Sequence, residues 1–260
     1  MIVEYWVSGG VGQMVLNRPD KLNAVTPELV NGICAALRQA IADEVAALVF
    51  AGNGRSFCAG HDLDQDLSGD SYFIEHERVQ GIQDVTRLIR RAPFPVIAAV
   101  QGYALGAGCE FALCSDFVVA ASDAQFGFPE IDVGLSITGG ISHILPSIVG
   151  LPRAKELVIF GERFGASRAL ELGLINWVVP TERLLEFANG KANTLADKPR
   201  QAMSFAKSAL DNGSQGNLSA AFDLEVLHAL LTRKSDEAAG ASRSFHNRHQ
   251  EGKPPHGYSD

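Results

Sequence analysis

Three apolar runs decide what this chain can fold into: AALVFAG (46–52), PVIAAVQGYAL (95–105) and FVVAAS (117–122). Each has the length of a strand, and none alternates apolar with polar residues. Such strands need both faces covered, as in a parallel sheet with helices packed against it. The intervening segments supply those helices. Thr26 before Pro27 and Glu28 is an N-cap followed by proline at the first helical position, and Leu29, Ile33, Ala36, Leu37 and Ile41 recur at helical spacing to about Ala42. SYFIEHERVQGIQDVTRLIRRA (71–92) predicts a long helix that Pro93 and Pro95 end, and GCEFALCSD (108–116) predicts a short one. Residues 2–8 and 11–16 alternate around SGGVG and predict a hairpin. AQFGFPEIDVG (124–134) reads as a loop with one short strand, and INWVVP (175–180) as a last strand. Strand, loop and helix in repetition define an α/β fold. Helical patterning alone remains after about Ala196. The expected division is a core over residues 1–195 and a helical region over 196–260, with the polar turn DNGSQGN and a polar tail.

Composition narrows the function. A chain of 260 residues, 46% apolar and 20% charged, can fill one large core. The formal net charge of −8 and the scarcity of Lys/Arg runs argue against a nucleic-acid surface. The apolar runs are too short to span a bilayer, and MIVEYWVSGG lacks the basic and apolar stretches of a secretion signal, so a cytoplasmic protein away from membranes is expected. Cys34, Cys58, Cys109 and Cys114 show neither CxxC pairing nor histidines at zinc-ligand spacing and are read as buried, reduced thiols. GGVG (9–12) lacks the GxGxxG order of a dinucleotide site.

The chemistry gathers in RSFCAGHDL (55–63), GYALGAGCE (102–110) and QFGFPEIDVGL (125–135), each of which follows a buried strand. Glu110 ends a run of small residues in apolar surroundings, an expensive place for a charge. Either it is an incidental acid in a tight turn, or the small residues admit a ligand to the backbone and the carboxylate acts on it.

With LNRPDKLNAV ahead and LELGLINWVVP behind, these segments stand in the order found in the crotonase, or enoyl-CoA hydratase/isomerase, superfamily. The chain resembles that superfamily over nearly its whole length and is most similar to the enoyl-CoA hydratases. The resemblance implies a crotonase-like ββα spiral with C-terminal helices at the contacts of a homotrimer, or of a hexamer made of two trimers. It implies an acyl-CoA substrate of the kind handled in fatty-acid metabolism, with coenzyme A part of that substrate and no metal or redox cofactor. The main-chain N–H groups of His61 and Ala107 match the oxyanion hole that holds the thioester oxygen, where donors in place before the reaction stabilise developing charge. Ala59, Gly60, Asp62, Leu63 and Gly106 match the substrate-binding turns around them. Glu110 and Glu130 match the two catalytic glutamates of the hydratases, Glu110 acting on water and Glu130 delivering a proton to the α-carbon. Arg18 and Lys21 match the loop beside the nucleotide end of coenzyme A, and Arg248 a position that reaches a neighbouring subunit's site. The His61 imidazole is expected to take no part.

Other residues have structural readings: Asp116 bonding backbone at a helix end, Cys58 and Cys109 packing beside the pocket, His143 a core histidine. The chain departs from the family in carrying GGISHIL (139–145) where many hydratases have GGTQRL, and Asp64 where a lysine or similar polar residue is usual. The first departure predicts that Ile141 and Ile144 line an apolar wall beyond Glu130 and favour a bulky or extended acyl group. Within the fold, an isomerase needs only one base, and hydrolysis, decarboxylation or carbon–carbon cleavage can use the same oxyanion hole. A non-catalytic, RNA-associated homologue is opposed by the acidic charge and the intact glutamate pair.

Overall fold

The computed structural model describes residues 1–63, 71–213 and 216–250, the side chains of 244–250 excepted. Asp64 and the tail from residue 251 lie outside them. The chain divides into two compact units, Met1–Ala196 and Asp197–Asp260.

In the first unit the hairpin β1 (Val3–Ser8) and β2 (Val11–Leu16) leads to α1 (Pro27–Ala42), β3 (Ala47–Gly52) and α2 (Tyr72–Arg91). Then come β4 (Val96–Val100), β5 (Tyr103–Leu105), α3 (Ala107–Leu113), β6 (Phe117–Ala121) and β7 (Gln125–Gly127). The unit continues through α4 (Ile141–Val149), α5 (Leu151–Ile159), β8 (Phe164–Gly165), α6 (Ala166–Glu171), β9 (Trp177–Val179) and α7 (Leu184–Ala196). Helix starts follow their caps: Thr26 Oγ1 accepts from Leu29 N at 3.2 Å, and Ser71 Oγ from Ile74 N at 3.4 Å.

Among the described residues the strands form a six-stranded sheet of order β1-β2-β3-β4-β6-β9 and a three-stranded sheet of order β5-β7-β8. β1 and β2 are antiparallel, and every later addition to the larger sheet is parallel. Between β2, β3, β4 and β6 of that sheet and the helix that follows each, the chain makes a short second pairing. Val25 bridges His61, Cys58 bridges Ala104, and β5 lies parallel to β7. The result is a spiral of ββα turns, one stacked on the next.

The apolar run 95–105, read as one strand, is two strands in different sheets. Gly102 makes the corner at φ +53°, and a Cβ there would lie 1.9 Å from the Arg55 carbonyl oxygen. Only glycine accepts both the backbone angle and that approach.

Residues alternate between two apolar clusters across the larger sheet. Met14, Leu16, Leu48, Phe50, Val96, Ala98, Val100, Val118 and Ala120 face one core with α1, α2 and α3. Val11, Val15, Val49, Ile97, Ala99 and Val119 face the other, closed by Leu184, Ala188 and Ala192 of α7. Burying one such Leu, Val or Phe contributes about 1.5–3 kcal/mol, which is why these strands read as unbroken apolar runs. The second unit holds α8 (Arg200–Gly213), α9 (Leu218–Arg233) and α10 (Asp236–Gln250). Leu218, Phe222, Val226, Leu227, Leu230 and Leu231 stand exposed on α9 of the single chain.

Candidate active site

Two turns of the spiral meet at the end of β5. Leu105 N donates to Cys58 O at 3.0 Å and Cys58 N to Tyr103 O at 2.9 Å, so the segment after β3 is stitched to β5. Gly60 (φ +89°) turns against it, and a Cβ on Gly60 would lie 2.8 Å from Leu105 O and 3.7 Å from the Gly106 Cα. Gly106 (φ +52°) caps α3, which begins at Ala107. Among the described residues, neither the His61 N–H nor the Ala107 N–H donates a hydrogen bond. The site thus presents two unengaged main-chain donors where two glycine turns come together. Burial pushes the His61 imidazole down, which favours its neutral form.

Glu110, one turn into α3, is completely buried. Its carboxyl is held by a single residue from another turn. Thr138 N donates to Oε1 at 2.6 Å, and Thr138 Oγ1 bonds Oε2 at 2.6 Å. Burial raises this carboxyl's pKa, and the two Thr138 bonds lower it. The segment around Thr138 can wrap the glutamate because Gly139 (φ +57°) and Gly140 (φ +78°) follow, and a Cβ on Gly139 would lie 2.9 Å from Glu110 Oε2. Thr86 of α2 anchors the segment by donating its hydroxyl to the Gly139 carbonyl at 3.0 Å.

Glu130 follows Pro129 in the turn after β7 and is 5% exposed. Neither of its carboxyl oxygens has a hydrogen-bond partner among the described residues. Burial pushes its pKa up to about 7, its own main-chain N–H lowers it in part, and the charge of Glu110 raises it again. A Cβ on Gly106 would lie 3.2 Å from Glu130 Oε1, which places this carboxyl against the start of α3. Two buried glutamates therefore sit in unlike surroundings, one bonded at both oxygens and one at neither.

A cavity of about 540 Å³ is lined by neither glutamate but reaches Thr138, the partner of Glu110. His61, Asp62 and Leu63 border it, with Val30 of α1, Val79 and Ile82 of α2, and Val133, Leu135, Ile137 and Thr138 from the segment after Glu130. Thr138 is thus both cavity wall and partner of Glu110. Nothing in the sequence marks it beyond a hydroxyl residue ahead of two glycines.

The remaining expected site residues fall as follows. Ala59 N donates to Leu22 O at 3.0 Å, and Asp62 N to Val25 O at 3.1 Å, which fixes the turn. Arg18 bonds Ala24 O at 2.6 Å and pairs with Asp62 Oδ2 at 3.0 Å, so its guanidinium ties the 18–25 loop to that turn. Lys21 ends a 3-10 turn, Pro19–Lys21, with its side chain exposed. Leu63 is 67% exposed at the cavity edge. Arg248 lies in α10, its side chain outside the described residues. The Cys58 thiol, pushed up by burial to about 12, and that of Cys109, also raised, are buried. Asp116 Oδ2 accepts from Val96 N at 2.7 Å, a backbone bond that holds the start of β4. Among the described residues, no group of three or more His, Cys, Asp or Glu side chains is placed to hold a metal.

Two expectations about the 139–145 segment are corrected. Ile141 and Ile144 do not line the cavity but are buried in the core, because the nine-residue helix α4 turns them inward with Leu145. The same turn directs His143 outward, where it is exposed rather than a core histidine. The apolar wall beyond Glu130 is built instead by Val133, Leu135 and Ile137.

The spiral of ββα turns, with a buried carboxyl pair beside two main-chain donors, defines a crotonase-fold protein. A model of the enoyl-CoA hydratase/isomerase family matches residues 7–252. The chain belongs to the enoyl-CoA hydratase/isomerase family. It is 37% identical over 219 residues to a crotonyl-CoA hydratase of Syntrophomonas wolfei, covering 82% of each chain. It is 33% identical over 241 residues to a 1,2-epoxyphenylacetyl-CoA isomerase of Escherichia coli K12, covering 91% of this chain and 92% of the relative. Among solved structures, an enoyl-CoA hydratase from Polaromonas sp. JS666 superposes with a TM-score of 0.91 at 32% identity, covering 95% of this chain and 97% of that one. Among the described residues, no helix is long and apolar enough to cross a membrane.

Proposed function

We propose that this protein adds water across the double bond of a 2-enoyl-CoA thioester. The observation that carries this reading is the unlike state of two buried carboxyl groups, Glu110 bonded at both oxygens and Glu130 at neither. Unlike environments separate an acid from a base, as addition of water requires. The thioester oxygen sits between the His61 and Ala107 N–H groups, aided by the N-terminus of α3. Glu110 takes a proton from water as its oxygen bonds to the β-carbon. The double-bond electrons move toward the thioester as an enolate, and Glu130 protonates the α-carbon. One proton enters the pair and one leaves it, and return of the proton from Glu110 to Glu130 resets the site. Added to crotonyl-CoA, the protein should abolish the ultraviolet band of the conjugated thioester. A band that persists at high protein concentration would end this reading.

One observation favours a second reading. Glu110 is occupied by Thr138, which leaves Glu130 the carboxyl without a partner, and a single base suffices to move a double bond. An isomerase would convert a 3-enoyl-CoA to its conjugated isomer, so the band would appear with that substrate rather than vanish with crotonyl-CoA. The exposed apolar residues of α9 support a homotrimer, which the particle mass in solution tests.

A further inference from the structure

We propose that Thr138 is the positioning residue for Glu110, its hydroxyl and main-chain N–H together fixing the plane of the carboxylate. This rests on the reading of Glu110 as the base that acts on water.

The geometry is specific. A carboxylate offers about four acceptor positions, and Thr138 fills one on each oxygen, leaving one further position on each. Both bonds are 2.6 Å, the short distance of charge-assisted contacts. Bonds to both oxygens from one residue remove rotation about the carboxyl axis, which one bond would leave. The hold is itself braced, since the Thr86 hydroxyl on α2 fixes the Gly139 carbonyl at 3.0 Å and Gly139 lies directly against the Glu110 carboxyl. Thr138 also lines the cavity, so the residue that aims Glu110 borders the space available to substrate.

The surroundings offer few substitutes. Glu130, in the turn after β7, is raised chiefly by burial and further by the Glu110 charge. Cys109 of α3 and Cys114, which caps its C-terminus, carry thiols that burial raises and keeps neutral. Arg90 of α2 and Asp116 act on Cys114 with opposite sign. The Thr138 bonds are the influences that lower the Glu110 carboxyl against burial.

The test is Thr138→Val, which keeps the shape and the main-chain N–H and removes the hydroxyl, beside Thr138→Ser, which restores it. For Thr138→Val, kcat for crotonyl-CoA should fall on the order of 10–100-fold, the range of a hydrogen bond to a charged group, with KM changed less than about threefold. Loss of the hydroxyl raises the Glu110 carboxyl, so the acid limb of the kcat profile should move to higher pH by about one unit. Thr138→Ser should recover both. A Thr138→Val protein with the wild-type rate and acid limb overturns the proposal, as does a Thr138→Ser protein equally impaired, which would mean packing alone. If the wild type does not hydrate crotonyl-CoA, the hydratase reading fails by itself. The Glu110 carboxyl can then be titrated by carbon NMR, its resonance assigned by loss in Glu110→Gln. A midpoint raised in Thr138→Val and recovered in Thr138→Ser supports the positioning role, and an unchanged midpoint rejects it.

Discussion

Gly108 lies so close to the Cys58 carbonyl that a Cβ added to it would stand 2.2 Å from that oxygen. The contact joins the first turn of α3 to the segment that carries Gly60 and His61, so the two expected oxyanion donors depend on it. Gly108→Ala must push α3 away from that segment and should lower stability by at least the 1–3 kcal/mol usual for overpacking. Gly190→Ala is the control, because Gly190 is exposed in α7 with nothing within 4 Å of an added Cβ. There alanine should raise stability by about 0.5–1 kcal/mol. Urea unfolding of the two variants checks both signs.

Replacing either carboxyl should leave thioester binding and remove turnover. Glu110→Gln and Glu130→Gln are each expected to lower kcat by about 10²–10⁴, the scale of general acid–base catalysis. Steady-state rates with crotonyl-CoA, together with calorimetric binding of a saturated acyl-CoA, separate the two effects. Retention of near wild-type hydration by either variant contradicts the paired mechanism.

Glu130 gives the protein a pH dependence of definite sign. Its carboxyl, raised from 4.5 to about 7, binds a proton more tightly in the folded chain than in the unfolded one. Stability from this group is therefore full below about 4.5 and declines as pH rises through about 7. Glu110, also raised, contributes in the same direction. Urea midpoints measured from pH 5 to 8 should fall with pH, and Glu130→Gln should flatten that slope. As Glu130 is the proposed proton donor, kcat should likewise decline above about pH 7.

The oxyanion donors can be probed without breaking α3. Ala107 occupies the first helical position, where proline is tolerated and the N–H has no helical partner. Ala107→Pro deletes that donor and should lower kcat by about 10²–10³. His61→Ala keeps its N–H and should change kcat far less. A collapse of activity in His61→Ala would give the imidazole a part in the reaction.

Much of this arrangement was legible in the residues, and the rest was hidden for identifiable reasons. Val96–Val100 and Phe117–Ala121 read as buried strands because both faces are covered, a condition that leaves its mark on every residue of the run. The break at Gly102 was not visible, since the obstacle that demands it is the Arg55 carbonyl, brought near by another turn of the spiral. Ile141 and Ile144 were misplaced because a short helix with apolar residues three apart fits a cavity wall as well as a core. Glu110 and Glu130 could be singled out by their motifs, which fix them in sequence as well as in space. Thr138 could not, for it meets Glu110 from 28 residues away and no local pattern records that encounter.

The placement of α7 sets the order in which the molecule can become whole. Every group of the proposed reaction, His61, Ala107, Glu110 and Glu130, has been synthesised by residue 138, yet one face of the larger sheet stays uncovered until Leu184, Ala188 and Ala192 arrive. The bond from Gln13 Nε2 to Asn189 Oδ1, 2.7 Å long, joins positions 176 residues apart. A nascent chain that stops short of α7 carries the proposed catalytic groups on an open apolar sheet, a state suited to chaperones and aggregates rather than to substrate. The helix farthest along this unit thus acts as its completion step, and the enzyme's birth on the ribosome waits for a segment that never touches the chemistry.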